Sequence, residues 1–136
     1  MIQFRVIGEP QPFPKKQINR KTGMVYARDP HGHKYGWMQA VRLTCQTAMK
    51  EIDHKIYPED APVSLKVTFY RTRPKSCKRM PRPFTKPDVD NLAYAVTNAL
   101  NGVAYWDDSR VCDLTVSKRW ADGCDPGVFV VITVVE

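Results

Sequence analysis

The stretch DVDNLAYAVTNALNGVAYWDDSRVCDLTVSKRW, Asp88–Trp120, changes its period part-way along. In its first half Leu92, Ala95, Val96, Ala99, Leu100 and Val103 recur at three- and four-residue steps, a continuous apolar stripe on one helix face. Asp88 suits the N-cap position and Gly102 the C-terminal stop. Pro87 biases Lys86 to an extended shape, so the helix cannot begin much earlier. After Asp108 the helical spacing ends, and Arg110 to about Trp120 reads as a strand.

Working outward, VSLKVTFY is a strand with Val63, Leu65, Val67 and Phe69 on one side and Ser64, Lys66, Thr68 and Tyr70 on the other. An earlier helix runs from about Lys34 to His54, with Trp37, Val41, Thr44, Ala48 and Ile52 as its buried stripe, and Pro58 and Pro62 break the chain after it. Ile2, Phe4 and Val6 alternate with polar residues in an opening strand. Between that strand and the helix, GEPQPFPKKQINRKTGMVYARDPHG offers a turn at Asn19–Gly23 between two short extended pieces. At the other end a turn, ADGCDPG, leads to VFVVITVV, a nearly all-apolar strand that belongs inside a sheet. The order predicts one α+β (mixed α/β) domain, two helices on a mixed β-sheet.

The 136 residues carry 21 Lys and Arg against 14 Asp and Glu, a formal charge of +7, which points to a polyanionic partner. The basic residues crowd into RTRPKSCKRMPRPFTK, Arg71–Lys86: seven of them, with three prolines and no acid. Proline and like charge argue for a mobile exposed loop there. No apolar run reaches the roughly 18 residues of a membrane span. MIQFRVIG reads as a strand and not as a secretion signal, so the cytoplasm is the default location. Cys45, Cys77, Cys112 and Cys124 make no C-x-x-C and read as reduced thiols. His31, His33 and His54 fit no nucleophile motif, and no Gly-rich phosphate loop is present, so no small organic cofactor is expected.

Against this basic background, acid is concentrated at two points: Asp88 with Asp90, and Asp107 with Asp108. A helix of some fourteen residues would hold the pairs about 20 Å apart, while four or five extended residues of return chain would cover about 15 Å. Convergence is therefore permitted and not forced. Converging carboxylates need a cation between them, and hard oxygen ligands suit Mg²⁺ or Mn²⁺. Such a centre in a basic protein fits phosphodiester cleavage. The plainer reading makes Asp88 an N-cap, Asp90 a partner of the helix dipole and Asp107–Asp108 a polar turn.

KPDVDNLAYAVTNALNG followed by WDDSRVCDLTVSKRW resembles the core signature of the RusA family of Holliday junction resolvases: Asp-x-Asp-Asn at a helix start, an Ala-Leu stretch ending it, then Asp-Asp before a strand. The Pro- and base-rich opening and PGVFVVITV at the close are similar to that family too. The resemblance implies a homodimer that nicks four-way or branched DNA with Mg²⁺, in a bacterial or phage setting. It puts Asp88, Asp90 and Asp108 in the places of catalytic, metal-binding carboxylates, and Asp107 in that of a fourth acidic neighbour. Lys15, Lys16, Arg20, Arg71, Arg73, Lys75, Lys78, Arg79, Arg82 and Lys86 are the candidate DNA contacts. Two positions depart from the pattern. Tyr94 stands where many members have a lysine, with Lys86 or Lys118 as substitutes, and Asn98 stands where an acid is usual. Asp113 is set aside because strand alternation can aim it away from the site. The alternatives are a branched-DNA-binding protein with weakened catalysis, flagged by Tyr94, and a nuclease of broader structural preference.

Overall fold

The computed structural model describes residues 1–135. Its elements are β1 (Ile2–Ile7), β2 (Lys16–Ile18), β3 (Val25–Ala27), α1 (His33–Glu51), β4 (Val63–Arg71), α2 (Val89–Ala99), β5 (Val111–Trp120) and β6 (Gly127–Val134). Four strands form one mixed sheet in the order β1-β6-β4-β5, and β2 and β3 form a separate two-stranded ribbon. This is the expected α+β domain. β6 lies between β1 and β4 and is antiparallel to both, which is why its sequence is apolar almost throughout. β4 and β5 are parallel, and the chain between them carries α2.

Ile2, Phe4 and Val6, then Val63, Leu65, Val67 and Phe69, then Val128, Val130 and Ile132 form one apolar face of the sheet. Trp37, Val41, Cys45 and Met49 of α1, and Leu92, Ala95, Val96 and Ala99 of α2, cover it. The buried stripe of α1 differs from the expected one. It steps by four from Trp37, and Ile52 lies outside the helix with 56% of its surface exposed. Cys45 is buried, which pushes its thiol up to about 12. All four cysteines are free.

α2 is shorter than its apolar pattern suggested. Asp88 holds the N-cap position and the helix ends at Ala99. Leu100 and Val103 stay buried through a tight turn in which Gly102 has φ 72° and donates its N–H to Tyr105 O. The Tyr105 hydroxyl donates to Thr97 O at 2.6 Å and satisfies a carbonyl of the last helical turn. Of the aromatic pair after the helix, Tyr105 is wholly buried and Trp106 is 55% exposed.

Candidate functional site

Register fixes what faces α2. Leu65 pairs with Leu114, Val67 with Val116 and Phe69 with Lys118, so Leu114, Val116 and Lys118 share the helix-covered face. Asp113 pairs with Ser64 and lies on the other face. Lys118 therefore rises beside the N-terminus of α2, and its ammonium donates to Thr85 O at 2.8 Å and Pro87 O at 3.0 Å. Burial, with Arg71 nearby, pushes this ammonium below the ordinary lysine range. Asp88 is the next residue along.

Asp88 sits at the N-cap, but its side chain makes no capping bond. Asp90 occupies the first turn. Both are exposed, and among the described residues neither enters a salt bridge. The N-terminus of a helix favours negative charge, which suits two carboxylates at this end. Beyond that field effect, neither side chain makes a capping bond or an ion pair among the described residues.

Asp88 and Asn91 edge a groove of about 560 Å³ between the N-terminal segment and the end of β4. Its cations are Lys15, Arg28, Lys34, Arg71 and Lys86. Arg71 donates from Nη1 to Lys86 O at 3.0 Å. Its Nε lies 3.8 Å from Glu9 Oε1, too far for a hydrogen bond, and remains a buried donor without a partner. Glu9 is bound instead to the Thr72 hydroxyl at 2.7 Å. Arg28, Lys34 and Glu9 were not named from the sequence, where nothing local ties them to the acidic motif. Only the folding of the N-terminal segment over α2 brings them in, as the Phe13 N–H bond to Asn91 O shows.

The other acidic pair lies elsewhere. Asp107 and Asp108 precede β5, near Tyr105 and the C-terminal end of α2. Lys118, the neighbour of Asp88, lies close to the far end of the same strand. An eleven-residue helix separates its ends by about 16 Å. Asp107 accepts from the Ser109 N–H at 3.2 Å, caps the short turn Asp108–Arg110, and is held below the usual carboxylate range by that contact. Among the described residues no three His, Cys, Asp or Glu side chains gather closely enough to hold a metal. The chain does not double back to unite the two pairs.

The Arg71–Lys86 segment contains more local structure than its composition suggested. Lys75–Cys77 form a single 3-10 turn. Arg73 donates to both carboxylate oxygens of Asp122, at 3.1 and 2.7 Å, and to the carbonyls of Cys77 and Met80. Its guanidinium lies 5.1 Å from the centre of the Trp120 ring. Arg73 is thus committed to holding the segment. Arg82 donates from Nε to Lys118 O. Lys75, Lys78, Arg79 and Lys86 are exposed, as are Lys15, Lys16 and Arg20 of the N-terminal segment. Tyr94, on the same face of α2 as Asp90, meets Phe13 edge-on at 4.4 Å.

The family profile described as "Endodeoxyribonuclease RusA" matches residues 8–133, nearly the whole chain. The chain belongs to the RusA family. It is also similar to the protein YqaN of Bacillus subtilis (strain 168), described as uncharacterized, with 39% identity over 145 residues, covering 96% of this chain and 94% of the relative. The RusA match includes both acidic pairs, Lys118 and the basic groove. No helix among the described residues is long and apolar enough to cross a membrane.

Proposed function

We propose that this RusA family chain is a divalent-metal-dependent endodeoxyribonuclease that cuts four-way DNA junctions as a homodimer. The observation that carries the reading is a pair of carboxylates outside any salt bridge at the start of α2, Asp88 at the edge of a groove lined by cations and Asp90 two residues on, in the first turn. Carboxylate oxygens are the right donors for Mg²⁺ or Mn²⁺. Among the described residues one chain brings Asp88 and Asp90 to the start of α2, and Glu9 of the groove is engaged by the Thr72 hydroxyl, so the metal set is completed by Asp108, with Asp107 beside it, from a second copy. Such a cation lowers the pKa of a water and offsets charge developing on the phosphate.

The protein's own groups do the remaining work. Arg71, Lys86, Lys15 and Arg28 hold the DNA backbone. Lys118 steadies the backbone on which Asp88 is mounted and provides the cation that Tyr94 does not. The second copy has an apolar seat beside Asp90, where Val89, Tyr94 and Leu114 are 39%, 45% and 48% exposed. β5 is an edge strand of the sheet with free pairing groups. A two-fold dimer then carries two identical sites, which suits two symmetric nicks.

Complementation between two inactive variants tests this. Asp90→Asn and Asp108→Asn chains, each inactive alone on a labelled four-way junction with Mg²⁺, are unfolded and refolded together. A site shared between copies leaves the mixed dimer with one intact centre, so junctions nicked on one strand appear. A mixture as inactive as its components rejects the shared site. Wild-type protein that binds the junction and never cuts it supports the binding-protein alternative, and equal cutting of flaps and forks supports the broader nuclease.

A further inference from the structure

The β2–β3 ribbon is a part of the molecule that the proposed nuclease site does not account for. It is a sheet of its own, closed by a tight turn in which Asn19 Oδ1 accepts from the Lys21 N–H at 2.9 Å and Gly23 donates to Asn19 O at 2.8 Å. Its two faces differ. Gln17 and Tyr26 pair across the strands and are joined by a 3.0 Å hydrogen bond, and Gln17 lines the groove that holds Asp88. On the opposite face Ile18 pairs with Val25. Ile18 and Val25 are 66% and 61% exposed, and Met24 at the turn is 69% exposed.

An apolar face of this kind needs a partner, and the surrounding charge selects it. Lys15, Lys16, Arg20, Lys21 and Arg28 lie on or beside the ribbon, with no acid from residue 15 to residue 28. A second copy seated on this face would bring two such cation sets together. A polyanion with exposed apolar surfaces fits both features, and nucleic acid offers these where base pairs are unstacked. Apolar side chains on basic elements enter such steps as wedges.

We propose that the β2–β3 ribbon is a wedge that enters the branch point of a DNA junction, with Ile18, Val25 and Met24 against the exposed base pair and the flanking cations on the phosphates. This rests on the reading of the protein as a junction-binding enzyme. The ribbon's inner face adjoins the Asp88 groove, so insertion sets the distance from branch point to cleavage site.

The test is a four-way junction with 2-aminopurine beside the branch point and a linear duplex of the same sequence, bound by wild type, by Ile18→Thr/Val25→Thr and by Met24→Gln. Wild type should raise 2-aminopurine fluorescence on the junction. The double variant should abolish that rise and weaken junction binding by about tenfold or more, with a far smaller change on duplex. Met24→Gln should give a partial loss. An undiminished rise in the double variant, or equal losses on both DNAs, overturns the wedge and leaves the nuclease reading standing. Dissociation of the dimer in sedimentation, seen only in the double variant, makes the face a contact between copies and also overturns it. Wild-type protein that binds no DNA overturns both readings.

Discussion

The two ends of α2 carry the same chemistry, a close pair of aspartates, in opposite circumstances. At the N-terminal end Asp88 and Asp90 stand outside any ion pair among the described residues, in the positive field of the helix, with Asp88 at the edge of a basic groove. At the C-terminal end Asp107 is spent on capping a turn, and the chain around it is fastened by the buried Tyr105. The first pair gives the fold only the modest gain of negative charge at a helix N-terminus. The second is partly structural. Identical residue types therefore differ in how much they reveal about function, and the measure is whether local bonding already explains them.

The largest effect should follow from the free pair. Asp88→Asn or Asp90→Asn should lower cleavage by about a thousandfold or more, some 4 kcal/mol of transition-state stabilisation, with junction affinity and thermal stability unchanged. Cutting at near wild-type rate by either variant removes that residue from the site. Asp108→Asn should match that loss of cleavage.

Next comes Tyr105→Phe, which deletes the buried bond to Thr97 O and should cost about 1–2 kcal/mol in denaturant unfolding. No change there would mean that the C-terminal end is held by packing alone. On the basic segment, Arg79→Ala with Arg82→Ala should lower the log–log salt slope of DNA binding by up to about 1.8. An unchanged slope would remove those residues from the DNA contact. Arg73→Ala should instead destabilise the segment, because its guanidinium is bound within the protein.

The smallest effect concerns Asp107. Its contact with Ser109 holds the folded-state carboxyl below the usual carboxylate range, so its contribution is present above that range and is lost as pH falls through the lowered folded-state value. Asp107→Asn should remove that part of the acid-side loss of stability and leave the melting temperature above pH 5 little changed. An identical acid profile in the variant would show that the capping bond is not maintained in solution.

Most of the architecture was legible because periodicity is local. Alternation along Val63–Phe69 and the four-residue steps of Leu92, Val96 and Leu100 follow from which face must leave water, and the structure keeps both. The errors also have local causes. Ile52 is apolar and in phase, yet the chain leaves the helix before it, so its face has nothing to pack against. Arg71–Lys86 contains no acid, and the partner that binds Arg73 comes from Asp122, beyond the end of β5.

The sequence by itself determined the elements, the mixed α+β class, the basic charge and the family signature, since these depend on residue type and spacing along the chain. Only the tertiary structure decided which residues meet. The parallel pairing of β4 with β5 sets α2 alongside the sheet, puts Lys118 under the Asp88 turn and leaves Asp108 near the other end. That outcome depends on the direction of a crossover and the register of two strands. Both are set by contacts between residues far apart in the chain, which no local pattern contains.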